Sequence, residues 1–375
     1  MKRAKGAWRR MPGSCWEREN MVTMQFLAAA GQSGIHSVCI GVCMKLKEAG
    51  YKVGFMKPLG FRLEREQEMI TDADAKFLRN LLEMEEPLEL INPVFLTPSL
   101  VSQALAGEGE DLPAKIASAF QQLSRGRDVM ILQGALTASQ GALLGISGYD
   151  IHNLLGTQVV IIDRYDDAHL VDNFLVGKNR YGDSLLGVIY NMVPKLRMTY
   201  LDDSVKPFLE GRGIPLLGRV PEDKILKSTS VEDLATTLHA QVLSGREHMD
   251  VLIEDVMVGS MGAENALIFF RRRKNHAIVT GGDRSDMQLA ALEANAKCII
   301  LSGNLYPSAL ILARAEEKGV PMLLVEEDTL AAAEKAELLI RTARTHEPRK
   351  LERLSALMEK HVDLERLYRL SGLER

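Results

Sequence analysis

The sequence predicts an α/β protein with two units, each built on a parallel sheet that is covered by helices. From about residue 23, short apolar runs alternate with amphipathic stretches of helical periodicity, which is typical of strands joined by helical crossovers. This alternation breaks around residues 244–248 and then resumes. We therefore predict a larger domain over 22–244 and a smaller one over 245–345, followed by an amphipathic helix over 346–375.

Composition narrows the class of protein. The chain has 375 residues and a net charge of -4, so it has no surplus of basic residues with which to bind nucleic acid. No apolar run approaches the roughly 18 residues that span a bilayer, and we predict no membrane segment. Four scattered cysteines indicate reduced, buried thiols of a cytoplasmic protein. Residues 1–21 lack the apolar core of a signal peptide, and we expect a disordered leader.

The first unit is predicted element by element from its apolar runs. Each predicted strand is short and apolar, and each predicted helix has an apolar stripe at helical spacing. The strands are 24–30, 52–57, 128–133, 158–163, 186–191 and 215–220, and the helices are 36–49, 72–82, 112–124, 168–181 and 200–211.

The first strand runs into a Gly/Ser-rich turn and then into a helix. Such a turn directs backbone N–H groups and the positive end of a helix dipole at a phosphate. In the P-loop motif G-x-x-x-x-G-K-[ST], a Lys reaches the terminal phosphates and a hydroxyl holds magnesium. Here those two positions hold other side chains. The predicted ligand-binding residues of this turn are Gly31, Gln32, Ser33, Gly34, Ile35, His36 and Ser37.

Polar residues lie at or just after the carboxyl ends of several predicted strands, where open parallel sheets bind ligands. Lys57 is either a phosphate ligand or part of a solvated turn. Asp72 and Asp74 are candidate magnesium ligands, although capping of the helix that begins there is the favoured alternative. Asn191 either binds a base edge or caps a loop. The neutral amide of Gln133 stands where a nucleotide hydrolase often has an acid.

The second unit contains another glycine-containing turn between a strand and a helix. Its predicted strands are 250–256, 275–280, 297–301 and 321–325, and its helices are 262–270, 285–295, 308–319 and 329–343. The turn offers an anion-binding site with a guanidinium, or it is a structural turn with an Asp–Arg pair. Ser285 or Asp283 is expected to cap the helix. The candidate residues are Gly281, Gly282, Asp283, Arg284 and Ser285.

The segment 346–375 is highly charged but carries apolar residues at near-helical spacing. These are Leu351, Leu354, Met358, Val362, Leu364, Leu367 and Leu370. Such a helix should cover an apolar surface on its own chain or on a second copy.

Four segments together resemble the N-terminal region of long phosphotransacetylases, which is similar to dethiobiotin synthetase of the P-loop superfamily. They are Gly-Ile-His-Ser-Val-Cys-Ile-Gly-Val (34–42), Val-Gly-Phe-Met-Lys-Pro (53–58), Asp-Val-Met-Ile-Leu-Gln-Gly (128–134) and Gly-Val-Ile-Tyr-Asn (187–191). The segment Val-Thr-Gly-Gly-Asp-Arg-Ser-Asp (279–286) resembles the signature of the DRTGG domain. The resemblance implies a P-loop NTPase-like domain, a smaller DRTGG-like domain and a C-terminal helix, without the acetyltransferase catalytic domain.

The resemblance also implies site residues and functions. Lys57, Asp72 and Asp74 match phosphate- and metal-site positions of dethiobiotin synthetase, whereas Ile35, His36 and Gln133 replace the expected lysine, hydroxyl and acid. We expect a non-catalytic regulatory or ligand-sensing protein that binds an ATP-like nucleotide or a small phosphorylated ligand.

Two other functions stay open: an ATP-dependent ligase or carboxylase that uses magnesium, and an assembly partner of a separate catalytic subunit. A homo-oligomer, most simply a dimer, is the expected assembly.

Overall fold

The protein is described by a computed structural model that covers residues 21–61, 63–66, 69–341 and 345–373. Its contacts divide the chain into two compact units. The first unit comprises the chain up to Glu222 together with Leu354–Arg375, and the second unit is Asp223–Arg353. The domain boundaries predicted at 21, 244 and 345 rest on sequence pattern and stay predictions. The predicted leader lies outside the described residues except for Met21.

The first unit is organised around one parallel sheet. The strands of the whole unit are β1 (Val22–Ala28), β2 (Val53–Met56), β3 (Leu59–Gly60), β4 (Leu63–Glu66), β5 (Met69–Asp72), β6 (Val94–Phe95), β7 (Val129–Gln133), β8 (Gln158–Arg164), β9 (Leu185–Val193) and β10 (Leu216–Pro221). Among the described residues, six of them form the sheet in the order β10-β9-β8-β1-β7-β2. Those six correspond to the predicted strands, whereas the small pairs β3–β6 and β4–β5 are absent from the sequence prediction.

Helices connect the strands of this sheet. They are α1 (Ile35–Glu48), α2 (Ala73–Leu81), α3 (Leu88–Ile91), α4 (Pro98–Ala106), α5 (Leu112–Leu123), α6 (Gly148–Leu155), α7 (Asp172–Tyr181), α8 (Met198–Tyr200) and α9 (Lys206–Glu210). The 3-10 turns of the described chain are Ala142–Leu144, Gly182–Ser184, Lys195–Arg197 and Arg246–His248.

Two helices differ from their predicted bounds. The helix predicted from 168 begins at Asp172, because the Asp166 carboxylate accepts the N–H of Ala168 and holds that stretch in a turn. The helix predicted over 200–211 is divided by a π-helical segment, Leu201–Val205, directly before the α9 turn that contains Pro207. Proline has no N–H to donate, so a regular helix cannot continue unchanged through it.

The central strands are apolar on both faces because helices cover both sides of the sheet. Every residue of β7 is buried, and β7 pairs in parallel with β1 and β2. On α1, Cys39 and Cys43 are buried free thiols, and burial raises the pKa of both. Cys298 is likewise buried and free, so the prediction of buried thiols is confirmed for these three cysteines.

The second unit contains a five-stranded sheet, in the described residues, with the order β12-β17-β16-β15-β14. The strands of the whole unit are β11 (Thr229–Ser230), β12 (Gln241–Ser244), β13 (Leu252–Ile253), β14 (Asp255–Val258), β15 (His276–Gly281), β16 (Cys298–Ser302) and β17 (Met322–Leu324). Its helices are α10 (Val231–Thr237), α11 (Ala263–Phe270), α12 (Ser285–Glu293), α13 (Ala309–Glu317) and α14 (Thr329–Arg341).

This sheet is parallel except at one edge, where β12 runs antiparallel to β17. The strand predicted over 250–256 is two strands, since β13 pairs with β11 while β14 pairs with β15. Ser230 caps α10 by accepting the N–H of Asp233.

We expect the second unit to lose stability in mild acid because of His276, the first residue of β15. Burial lowers the pKa of this imidazole. The unfolded chain therefore takes up a proton at a higher pH than the folded protein, and stability falls as the pH drops below the unfolded value of about 6.5. Hydrogen exchange of the β15 amides between about pH 7 and pH 5 measures this effect. The fall should be smaller in His276→Gln, and equal pH slopes in the two proteins would contradict the assignment.

Two helices follow the second sheet where the sequence predicts one: α15 (Pro348–His361) and α16 (Leu364–Ser371). Val362 bridges to Gly218, and the N–H of Asp363 donates to the carbonyl of Leu217 at 2.7 Å, which interrupts the helix. Several predicted apolar residues of this segment are buried, namely Leu354, Met358, Val362 and Leu367. Within the first unit, these residues cover an apolar surface of their own chain, the first of the two predicted alternatives.

None of the helices among the described residues combines the length and apolar character that crossing a membrane requires.

Candidate functional site

The loop between β1 and α1 is held by the end of β9. Gly34 precedes α1 with a φ of 71°, a left-handed conformation that favours glycine. The Asn191 side-chain amide donates to the carbonyl of Ser33 at 3.0 Å, and a Cβ on Gly34 would overlap that amide. Asn191, a predicted ligand residue, therefore holds the backbone of this loop in the structure.

The side chains of this loop are divided between surface and interior. Gly31 and Gln32 are exposed, whereas Ser33, Ile35 and His36 are buried. The Ser33 hydroxyl oxygen is buried and has no hydrogen-bond partner in the described part of the structure. The loop thus presents backbone and the Gln32 side chain at the surface, directly before the N-terminus of the 14-residue helix α1.

A buried ionic group lies beside this loop. The Lys57 ammonium contacts Asp72 Oδ1 at 2.7 Å and Asp74 Oδ2 at 2.9 Å. Lys57 and Asp72 are 0% exposed, and Asp74 is 1% exposed. The ammonium also lies 4.3 Å from the centre of the Phe61 ring, which favours a cation. Lys57, Asp72 and Asp74, which the strand-end argument brings together, do meet in the structure.

The carboxylate of Asp72 has backbone donors as well. Asp72 precedes α2 and accepts the N–H groups of Asp74 and Ala75, so the capping alternative is what the structure shows for this residue. Its second oxygen accepts the N–H of Phe61 at 3.1 Å. Asn92, which the sequence argument misses, donates to the carbonyl of Lys57 at 2.7 Å.

His36 joins this group to the end of β7. Its Nε2 lies 3.4 Å from Asp74 Oδ1, and its Nδ1 lies 3.3 Å from Gln133 Oε1. We call Lys57, Asp72, Asp74, His36 and Gln133 the inner cluster. His36, which replaces the P-loop hydroxyl, therefore contacts Gln133, which replaces the strand-end acid.

The inner cluster as arranged does not fit magnesium. Magnesium takes oxygen ligands in near-octahedral geometry, and the two candidate carboxylates already share the Lys57 ammonium. A dication between them would face that ammonium at close range, where like charges repel strongly. His36 and Gln133 provide neither the hydroxyl nor the charge that P-loop proteins use for the metal.

Asp163, at the end of β8, has a separate environment. Asn173 donates to its Oδ2 at 2.8 Å, and burial raises the pKa of its carboxyl group. Asp163 and the inner cluster both lie at the carboxyl edge of the sheet.

The turn after β15 is closely packed. A Cβ on Gly282 would overlap the backbone carbonyl of Leu305, which belongs to the loop after β16. The Gln288 amide, whose role the sequence argument misses, donates to the carbonyls of Gly281 and Gly282 at 3.1 and 2.9 Å. Gln288 Oε1 is buried and has no hydrogen-bond partner among the described residues.

The charged residues of this turn pair with each other. Arg284 makes a two-pronged contact with Asp286, from Nε to Oδ1 at 2.9 Å and from a terminal nitrogen to Oδ2 at 3.0 Å. The expectation that Ser285 or Asp283 caps α12 is wrong, because Arg284 occupies the capping position and no side chain caps the helix. The carbonyl of Arg284 accepts the N–H groups of Met287 and Gln288 instead. These contacts match the structural-turn alternative.

Comparison with known proteins identifies both parts of the chain. Residues 27–230 match the AAA domain family, and residues 233–339 match the DRTGG domain family. Phosphate acetyltransferase of Nitrosomonas europaea is 24% identical over 90% of this chain and 50% of its own length. The chain thus spans about half the length of such curated relatives. Dethiobiotin synthetase of Caldicellulosiruptor bescii is 28% identical over 26% of this chain and 41% of its own.

One solved structure comprises the CBS and DRTGG domains of the regulatory region of Clostridium perfringens pyrophosphatase, with the activator diadenosine tetraphosphate. It covers 45% of this chain and 84% of its own at 18% identity and a TM-score of 0.29, a likeness that carries no argument. The two family matches alone establish the family of the chain. The chain belongs to the AAA domain family, with a P-loop, dethiobiotin synthetase-like first domain followed by a DRTGG domain, and it is homologous to phosphate acetyltransferases.

Proposed function

We propose that this chain is a non-catalytic regulatory protein whose first unit binds a nucleotide or another phosphorylated ligand at residues 31–37. The observation that carries the proposal is the contrast between the loop and its neighbours. The loop keeps a left-handed Gly34 and an exposed backbone at the start of α1, while the nearby ammonium is bound by two carboxylates. The site is suited to binding and not to turnover.

Phosphoryl transfer depends on positive charge that is positioned against the transferring group. The P-loop lysine position holds Ile35, which is 7% exposed, and Lys57 is 0% exposed. Loss of one positioned electrostatic donor costs roughly 3–4 kcal/mol of transition-state stabilisation. Backbone N–H groups and a helix dipole stabilise a bound phosphate without those side chains.

Homology to phosphate acetyltransferases and the DRTGG domain support a regulatory relation to that family. We further propose that the protein acts in the cytoplasm as a homo-oligomer or alongside a separate catalytic subunit. Residues 281–285 stay a second candidate ligand site, with the packing around Gly282 and the Arg284–Asp286 pair as the contacts that a ligand would meet.

Calorimetric titration with ATP and ADP tests the proposal, together with a charge change in the loop. Gln32→Glu preserves shape but places a negative charge beside the bound phosphate, and we expect roughly five- to tenfold weaker binding. Gln122→Glu makes the same change on the exposed face of α5 and should leave the affinity unchanged.

Two outcomes would overturn the proposal. One is the absence of binding to the wild-type protein at millimolar nucleotide. The other is magnesium-dependent ATP hydrolysis that Asp74→Ala abolishes, which would favour the ligase alternative.

A further inference from the structure

The inner cluster contains its own cation, the Lys57 ammonium. The two carboxylates that the sequence offers as metal ligands are Asp72 and Asp74. Both contact Lys57 Nζ, at 2.7 and 2.9 Å, and all three residues are almost completely buried. An ammonium between two carboxylates satisfies the same electrostatic requirement that a bound divalent cation would satisfy.

We infer that the Lys57 ammonium, which is part of the chain, is the permanent counter-ion of Asp72 and Asp74, and that ligand binding by the first unit is independent of magnesium. The inference rests on the proposed function, because it specifies the form in which a nucleotide or phosphorylated ligand binds there. A P-loop site normally receives its nucleotide with magnesium held by a loop hydroxyl. Here the corresponding residue, His36, contacts Asp74 and Gln133 within the cluster. The ligand should therefore be the metal-free anion.

Three further contacts explain why the ammonium stays in place. The Phe61 ring lies 4.3 Å from Lys57 Nζ, and the Phe61 N–H binds Asp72 Oδ2, so one residue contacts both ions. Asn92 holds the backbone carbonyl of Lys57 itself. Separation of the ammonium from the carboxylates would leave unpaired charges in a buried site, which is strongly unfavourable.

The first experiment measures nucleotide affinity of the wild-type protein by calorimetry, in EDTA and in excess magnesium chloride. We expect affinities in EDTA equal to or higher than those in magnesium, because magnesium competes for the free anion. An affinity that requires magnesium would overturn the inference. Absence of binding in both buffers would overturn the proposed function instead, and the second experiment then decides the inference alone.

The second experiment removes the ammonium and uses magnesium itself as the probe. In Lys57→Ala, the two carboxylates lose their counter-ion, and magnesium chloride should raise Tm by about 2–4 °C. The wild-type protein should show no such rise, because its cation position is taken. The double variant Lys57→Ala/Asp74→Asn should lose the response, since one of the two carboxylates is gone.

The comparison remains informative even where a variant folds poorly. Magnesium stabilisation of the wild-type protein would by itself overturn the inference. Lys57→Met, which fills more of the vacated volume, repeats the test if Lys57→Ala does not fold. A magnesium response that is absent from both single variants would also count against the inference, because it would show that these carboxylates do not form a cation site.

Discussion

Lys57→Ala is expected to lower the free energy of unfolding of the first unit by about 3–5 kcal/mol, since it leaves two buried carboxylates without their cation. The 0% exposure of Lys57 and Asp72 makes solvent screening ineffective there. Urea denaturation at neutral pH without divalent ions measures the loss. The expected size is a large part of the total stability of an ordinary domain.

A matched control is available on the surface of the same unit. Lys47 also pairs with a carboxylate, Glu83, at 3.0 Å, but its side chain is 42% exposed and that of Glu83 is 80% exposed. Lys47→Ala should therefore cost about 0–1 kcal/mol. Similar losses in the two variants would show that burial of the Lys57 group does not determine its contribution.

Gly282→Ala should produce the largest effect of a single added methyl group in the second unit. The new Cβ would overlap the carbonyl of Leu305, and a backbone atom cannot rotate away as a side chain can. The loop after β16 would have to shift, and we expect a loss of about 1–3 kcal/mol or more. Denaturation followed by hydrogen exchange of the β15 and β16 amides locates the change.

The control for this prediction is Gly262→Ala. No atom lies within 4 Å of a Cβ placed on Gly262, and its φ of -67° is open to any residue. Because Gly262 is the N-cap of α11, where alanine is less favourable than glycine, we expect a loss of no more than about 1 kcal/mol. If both alanine variants unfold at the same denaturant concentration, the contact between Gly282 and Leu305 is not close in solution.

The sheet of the first unit was predictable because its strands are buried on both faces. Such strands read as continuous apolar runs, as β7 does, and each run can be recognised without knowing its partners. The antiparallel edge strand β12 and the short pair β3–β6 are defined by partners that are distant in sequence. The hairpin β4–β5 is local, but each of its strands has only four residues. Their local patterns are too short to predict.

Some missed elements did leave a signal in the sequence. Thr97-Pro98 places a capping residue directly before proline, which is typical of a helix start, and α4 begins there. Ser147 and Asp150 form a capping box at the start of α6. These capping signals mark the starts of both helices in the sequence.

The candidate site was predictable in its members and not in their pairing. The rule that ligands bind at the carboxyl ends of parallel strands brought Lys57, Gln133 and Asn191 to one edge. It could not show that Lys57 binds Asp72 and Asp74, because that depends on how the segment after β2 folds back. Nor could it show that Asn191 binds the carbonyl of Ser33.

The return of residues 354–373 to the first unit has a consequence for biosynthesis. The second unit, 223–353, is contained in one continuous stretch, whereas the first is assembled from two stretches on either side of it. A ribosome therefore synthesises every residue of the second unit before it reaches Asp363 and Arg366, which are the partners of Leu217 and Glu210. The N-terminal unit would be the last to close, in reverse of the usual order in which domains fold during translation.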